Sequence, residues 1–312
     1  MNRIAFASVS LILLVLTFFL FTPIHTEGDL GMLFASPNQW QIPRFLGWLL
    51  NTVVIFLSAS VISLANKKYN FISEPEPIMT LALLLLLGCS CLTTFTLSTS
   101  TLLFLVNVLS IFVILSTYEE PNASKEFFAI GTLPAIGAMF QYSFIWMIPV
   151  YIGGGLLMKS FRLRELIAFI FGLLAPYWIL FGLGIVPPDA FRMPESLTVF
   201  SRDAIDNEIF FTILSTGLMA LLAIIFSLYN SVRLFSRNSR LRCMHLTFNL
   251  MGYVAVLAII FDFNNFASYI ATLALWLAIE FAALLHFYNL RHVNLALILM
   301  LAVFLPLYIL AL

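Results

Sequence analysis

Long runs of hydrophobic residues, separated by short polar segments, cover most of the 312-residue chain. A helix needs about 20 predominantly apolar residues to cross the hydrocarbon core of a bilayer. The runs that approach or exceed this length are 4–22, 43–65, 77–95, 101–117, 127–158, 166–185, 209–229, 243–261, 266–287 and 293–311. The pattern therefore predicts an all-α protein, a polytopic bundle of transmembrane helices.

The run 127–158 is too long for one ordinary crossing and contains Pro134, Gln141, Pro149 and a glycine triplet. We expect a tight hairpin of two short helices that bends near Gln141 and crosses the membrane twice. A single kinked helix or a re-entrant segment is the alternative, which the two prolines also support.

The distribution of Lys and Arg sets the direction of the chain, because cytoplasmic loops carry an excess of both. The segment 159–165 contains Lys159, Arg162 and Arg164 and is expected to be cytoplasmic. With the hairpin counted as two passes, the chain has about 11 spans, with a cytoplasmic N-terminus and a periplasmic C-terminus. All of the 15 Lys and Arg residues then lie in cytoplasmic segments except Arg44, Arg192 and Arg202.

The composition excludes several classes of protein. The chain is 62% hydrophobic and 10% charged, with a mean hydropathy of +1.04. Its 15 basic and 15 acidic residues balance, so it lacks the basic surface typical of nucleic-acid binding. The longest polar stretch, from about Pro187 to Glu208, is too short to form a soluble core. We therefore expect one integral-membrane domain over residues 1–312 and no nucleic-acid partner.

We expect Glu280 to be the only acidic residue deep within a span, roughly 10 Å from the cytoplasmic end of its helix. An intramembrane carboxylate is a functional candidate by default, here the coupling residue of a transporter. Because we see no basic residue at matching depth, we favour the other interpretation, a structural interhelical hydrogen bond. The polar residues in other spans that could reach it are Asn51, Asn107, Gln141, His245 and Asn249.

The densest group of titratable residues on the outer side is His25, Glu27 and Asp29, just after the first span. These candidate catalytic residues have the chemistry to bind a divalent cation or to supply a general base for sugar transfer. Ordinary solvated turn residues explain the same pattern, and we favour that explanation. The apolar stretch that follows, 30–40, is predicted to lie along the membrane interface as a short amphipathic helix. No motif identifies a cofactor, which is unknown.

A basic cluster lies on the predicted cytoplasmic side between two spans and consists of Arg233, Arg237, Arg240 and Arg242. Such a cluster binds anionic lipid head groups at about 1 kcal/mol per base, so membrane lipids are expected partners. Orientation in the membrane also accounts for these four residues.

Three segments carry a resemblance to a known group of proteins: LANKKYNFI at the end of the second span, LLFLVNVLSIFVIL with Asn107, and FRLRELIAFIFGLLAPYWIL. Over about residues 45–185 the chain resembles an uncharacterised family of polytopic inner-membrane proteins of Bacteroidota. Arg164-Glu165 and the segment from Gly172 to Pro176 match the family pattern, while Leu163 stands where that pattern has tryptophan.

The resemblance implies a bacterial inner membrane and little about mechanism, because the family has no assigned activity. We expect a role in cell-envelope biogenesis, in lipid or glycan handling or as a scaffold or partner subunit. The layout is also similar to that of membrane glycosyltransferases that use polyprenyl-phosphate sugars. That likeness implies a lipid-linked glycan as substrate, whereas the scaffold interpretation implies another envelope protein as partner.

Overall fold

The computed structural model describes residues 3–21, 31–72, 78–192, 210–234, 238–287 and 293–312. Within that part of the chain every regular element is a helix. The α-helices are α1 (Arg3–Leu20), α2 (Arg44–Tyr69), α3 (Ile78–Gly88), α4 (Cys91–Thr94), α5 (Thr99–Ser116), α6 (Ser124–Phe140), α7 (Ile148–Leu157), α8 (Leu163–Gly182), α9 (Phe210–Leu234), α10 (Ser239–Phe261), α11 (Phe266–Phe287) and α12 (Val293–Ala311). Short 3₁₀ segments occur at Pro37–Gln39, Tyr142–Met147, Pro188–Ala190 and Phe263–Asn265.

Among the described residues, 7 helices are long and apolar enough to cross a membrane, namely α2, α5, α8, α9, α10, α11 and α12. Shorter apolar helices lie in α1, in α3 and at 142–157. The predicted all-α class is confirmed for the described residues, and the 7 long apolar helices are compatible with the predicted polytopic membrane protein. The run 77–95 is interrupted, because α3 ends at Gly88 and α4 begins at Cys91.

The run 127–158 is broken at Gln141, where the backbone is extended (φ −158°, ψ 130°). The 3₁₀ segment Tyr142–Met147 then leads into α7, and Pro149 lies in the first turn of that helix, where its fixed φ is compatible with helix formation. The ends of the run lie side by side, since the Phe127 ring lies 4.9 Å from the Phe161 ring and a Cβ added at Gly155 would meet Phe127. Both a hairpin and a re-entrant segment have this arrangement, and a single straight crossing does not.

The two arms of this hairpin pack on other helices rather than tightly on each other. α6 packs mainly against α8, and α7 against α10. At the α6–α8 contact a Cβ added at Gly131 would meet the Phe169 carbonyl, and one added at Gly172 would meet the Phe128 carbonyl. Small residues thus let the backbones approach closely, as is common between transmembrane helices.

Contacts between the helix termini define two ends of the bundle. At the end that we call the basic end, the Arg240 guanidinium lies 5.9 Å from the Tyr69 ring and 5.7 Å from the Tyr118 ring. Lys159 pairs there with Glu119 over 2.9 Å. At the opposite end, Met32 accepts a main-chain bond from Arg192 and donates one to Ala138, and Asn38 accepts one from the Thr99 amide.

The segment that precedes α2 is irregular. Its only regular turn in the described residues is Pro37–Gln39, so the predicted amphipathic helix over 30–40 is wrong for residues 31–40. The amides of Met32, Leu33 and Phe34 bond to the Ala138 and Met139 carbonyls at the end of α6. These main-chain bonds to another element replace the bonds that a helix would make within itself.

The helix α11 forms the centre of the bundle. In its most apolar segment 83% of the residues are buried, against 22% in that of α12. α11 packs against α3, α5, α9 and α10. A helix that is apolar on all sides is typical of such a central position. Any polar side chain on α11 therefore needs a partner from a neighbouring helix.

Candidate functional site

Four side chains with polar groups follow one another on α11, namely Tyr269, Thr272, Trp276 and Glu280. Their spacing of three and four residues places them on one face of the helix. Each makes a hydrogen bond to another element. We call this set the α11 polar line. Glu280 is its energetically most costly member, because it is an ionisable group in the core of the bundle.

Glu280 is completely buried among residues of three helices. The Asn230 side-chain amide, from α9, donates to Glu280 Oε2 over 2.6 Å and to the Glu280 main-chain carbonyl over 2.8 Å. His245, from α10, places its Nδ1 3.8 Å from Glu280 Oε1, and both side chains are fully buried. The three side chains form a compact group near the basic end.

The second nitrogen of His245 fixes the tautomer of the ring. Its Nε2 lies 3.0 Å from the Phe71 main-chain carbonyl, which can only accept a hydrogen bond. Nε2 therefore carries a hydrogen, and in a neutral ring Nδ1 presents a lone pair to Glu280. Glu280 Oε1, His245 Nδ1 and Asn230 Oδ1 are all buried and make no hydrogen bond within the described residues. Buried polar atoms are usually paired, so this is an unusual concentration.

The sequence placed Glu280 at the right depth, seven residues before the last residue of α11. The expectation that no basic residue lies at that depth is wrong, because His245 is adjacent to the carboxylate. Hydropathy does not identify Asn230, because the apolar run ends at residue 229 whereas α9 continues to Leu234. Asn51 and Asn249 bond elsewhere, to the Thr93 carbonyl and to Trp276.

The middle of the polar line is joined to α5, α7 and α10. Asn107 donates to Thr272 Oγ1 over 3.0 Å and accepts from the Tyr151 hydroxyl over 2.6 Å. The Trp276 indole donates to Asn249 Oδ1 over 2.9 Å. The predicted intramembrane polar residue Asn107 is thus a fully buried junction of three helices.

At the opposite end from Glu280, Gln141 is also buried and belongs to a chain of side chains. Gln141 donates to Asn265 over 2.8 Å, Asn265 donates to Asp262 over 2.9 Å, and the Tyr269 hydroxyl donates to Asp262 over 2.9 Å. Asp262 is 4% exposed, so Glu280 is not the only buried acid of the apolar region. Because Asp262 lies between two apolar runs, the hydropathy pattern does not predict its burial.

The other predicted sites are less organised. His25, Glu27, Asp29 and Arg237 lie outside the described residues. Arg233 and Arg240 are exposed and Arg242 is half-buried. The guanidinium of Arg240 lies against two tyrosine rings, in the geometry of a cation–π contact. No group of three or more His, Cys, Asp or Glu side chains that could hold a metal ion occurs in the described part of the chain.

An exposed ion pair between Lys159 and Glu119 lies at the basic end of the bundle. The Lys159 ammonium donates to Glu119 over 2.9 Å and holds the pKa of that carboxyl below its usual range. The same hydrogen bond raises the pKa of Lys159. The pair joins the segment after α5 to the segment after α7.

Two apolar clefts open on the described surface. The outer cleft, about 370 Å³, lies between α6, α7 and α8 near the opposite end, and its lining includes Met32, Ala135, Ile148, Leu174, Tyr177 and Phe191. The α12 cleft, about 240 Å³, lies between α9, α11 and α12, and its lining includes Phe226, Phe281, Ala296 and Phe304.

Comparison with protein-family models, with curated proteins and with solved structures finds no match. The resemblance to the Bacteroidota family therefore stays a prediction.

Proposed function

We propose that the protein is an inner-membrane protein of a bacterium that handles a lipid-linked, phosphate-bearing substrate in envelope biogenesis. The observation that supports this most directly is the outer cleft, whose lining is apolar apart from the Tyr177 hydroxyl. That hydroxyl is already engaged, with the Met32 sulfur and the Ala135 carbonyl. An apolar cleft between transmembrane helices suits a hydrocarbon or isoprenoid chain.

A cation near the mouth of the cleft favours an anionic head group. Arg192 is exposed and directly follows Phe191, a lining residue. Its amide donates to the carbonyl of Met32, which also lines the cleft. The main chain thus holds the backbone of Arg192 beside residues that line the cleft. A guanidinium group binds phosphate well.

The orientation that we propose has about 11 crossings, with the basic end in the cytoplasm and the outer cleft in the periplasmic half. It is supported by the positions of Lys159 and Arg240 at one end and of Arg192 at the other. Single cysteines at Asn122 and Arg162, both exposed, test the hairpin in intact cells. We expect a membrane-impermeant thiol reagent to label both from the same side. Labelling from opposite sides would remove the hairpin.

Lipid binding is tested with a polyprenyl phosphate that carries a photoreactive group in its chain, added to the purified protein in detergent. Ala135→Phe fills the outer cleft, and Ala296→Phe is the matched control in the α12 cleft. We expect cross-linking to fall several-fold in Ala135→Phe and to persist in Ala296→Phe. Equal cross-linking in both variants would refute the outer cleft as the chain site.

A head-group arm of the same experiment uses Arg192→Gln and the corresponding polyprenol without phosphate. We expect the variant to reduce cross-linking of the phosphate and to leave that of the alcohol unchanged. If both lipids respond equally, the guanidinium does not recognise the phosphate.

The transferase version of this proposal adds catalysis by Glu27, Asp29 and His25. It is supported by the sequence position of these residues, because Asp29 precedes the cleft residue Met32 by three positions. Loss of a general base or metal ligand lowers a rate by orders of magnitude. We expect replacement of Glu27 and Asp29 together by Ala to produce an envelope defect at normal protein level. A normal envelope would exclude the transferase version and leave lipid binding intact.

A further inference from the structure

We propose that Glu280 and His245 form a proton-binding site inside the bundle, in which a single proton is shared between Glu280 Oε1 and His245 Nδ1. This proposal is independent of lipid binding at the outer cleft. It starts from the two facing atoms, which are 3.8 Å apart, fully buried and without a hydrogen bond in the described residues.

The geometry around the site leaves one position for a hydrogen. Nε2 of His245 already carries one, because the Phe71 carbonyl accepts from it. Glu280 Oε2 already accepts from Asn230. An ionised Glu280 and a neutral His245 would therefore point two lone pairs at each other. One added proton turns this repulsion into attraction, and a hydrogen bond forms when the two atoms approach from 3.8 Å to about 2.7–3.0 Å.

The charge of the site favours the same conclusion. With Glu280 ionised and His245 neutral the buried group carries a net negative charge, which is unfavourable within a membrane. Binding of one proton from water gives a carboxylic acid whose hydroxyl faces the neutral imidazole. This form is neutral overall, and no bond between heavy atoms is made or broken.

Among the described residues, His245 is the only titratable side chain in ion-pair contact with Glu280, and no other charged side chain of the surrounding elements reaches the pair. The other charged or titratable Lys, Arg and His residues of these elements, within the described residues, are Arg44, Lys67 and Lys68 of α2, Arg233 of α9, Arg240 and Arg242 of α10 and His286 of α11. α3, α5 and α12 carry no Asp, Glu, Lys, Arg or His within their helical bounds. Two candidate ligands are too few for a divalent metal. A proton is the smallest cation that satisfies both facing atoms.

The substitution Glu280→Gln is informative because an amide imitates the protonated acid. Its oxygen can accept from Asn230 as Oε2 does, and its NH₂ group can donate to His245 Nδ1. We therefore expect Glu280→Gln to fold normally and to lose only the ability to bind and release the proton. Glu165→Gln is the matched control, since Glu165 is a second buried carboxyl, on α8.

The experiment is infrared difference spectroscopy of the purified full-length protein in lipid nanodiscs, between acidic and alkaline pH. We expect a carboxylic-acid carbonyl band that is present in the unsubstituted protein and in Glu165→Gln and is lost in Glu280→Gln. Persistence of the whole band in Glu280→Gln would overturn the proposal. Loss of the band on addition of Na⁺ at constant pH would also overturn it, by showing a metal-cation site.

A second variant tests the sharing of the proton and covers the case in which Glu280→Gln does not fold. In His245→Phe the acid has lost its imidazole acceptor, so its carbonyl band should shift to higher frequency. An unshifted band would show that the proton is not shared with His245 and would refute the assignment.

Discussion

The contact of Asn107 with Tyr151 predicts a measurable coupling between α5 and α7. We would replace Asn107 by Ala and Tyr151 by Phe, separately and together, in a double-mutant cycle. Asn107 is completely buried, accepts from the Tyr151 hydroxyl over 2.6 Å and donates to Thr272 over 3.0 Å. The cycle isolates the first bond, because Tyr151→Phe removes only the hydroxyl.

The magnitude follows from the two bonds and the groups left behind. Interhelical hydrogen bonds in membranes contribute about 0.6 kcal/mol on average and up to about 1.7 kcal/mol. Asn107→Ala removes two such hydrogen bonds and leaves the Thr272 and Tyr151 hydroxyls without this partner. Thr272 can turn to the main-chain carbonyl four residues earlier. The Ser110 hydroxyl interacts with Tyr151 and is otherwise unpaired within the described residues, so it can compensate in part. We therefore expect about 1–3 kcal/mol for Asn107→Ala.

For Tyr151→Phe we expect about 1 kcal/mol, and for the coupling energy about 0.6–1.7 kcal/mol. The measurement is reversible unfolding of the protein by sodium dodecyl sulfate in bicelles. The control pairs Tyr151→Phe with Ser60→Ala, an exposed hydroxyl on α2 that bonds only within its own helix, and these changes should be additive. A coupling energy for Asn107 and Tyr151 within about 0.3–0.5 kcal/mol of zero would refute the reasoning.

The remaining predictions concern packing, the Glu280 site and the exposed ion pair. Gly252→Ala places a Cβ against the Trp276 ring and should lower the free energy of unfolding by about 1–3 kcal/mol. In Gly217→Ala the new Cβ meets no atom within 4 Å, so that variant should leave the free energy of unfolding unchanged. Unfolding in bicelles measures both variants, and equal effects would contradict the packing argument. Glu280→Leu leaves the Asn230 and His245 side chains without their polar partner and should lower the yield of folded protein. Glu280→Gln should preserve the yield. Similar yields for the two variants would show that the polar side chain is not structurally required. The lowered pKa of Glu119 means that its ion pair stabilises the fold above the ordinary carboxyl pKa and ceases to do so as the pH falls through the lowered value. Stability of the unsubstituted protein should therefore decline slightly more on acidification than that of Glu119→Gln, and a steeper decline in the variant would contradict this sign.

The helical class and the positions of the spans could be read from the sequence because hydropathy is a local property. A bilayer requires about 20 apolar residues per helix whatever the helix packs against. The runs 266–287 and 293–311 agree with α11 and α12 to the residue. The bend expected at Gln141 is also present. The depth of Glu280 followed from the same local count.

Tertiary packing decided what the local pattern could not express. Hydropathy does not distinguish the buried α11 from the peripheral α12, because lipid and protein interior are equally apolar. The side chains of Asn230 and His245 reach Glu280 only because α9 and α10 pack beside α11. Asp262 is buried by contacts with Asn265 and Tyr269, although it lies in a connection that reads as polar. Which polar residues meet depends on helix order and rotation, and these are properties of the assembled bundle.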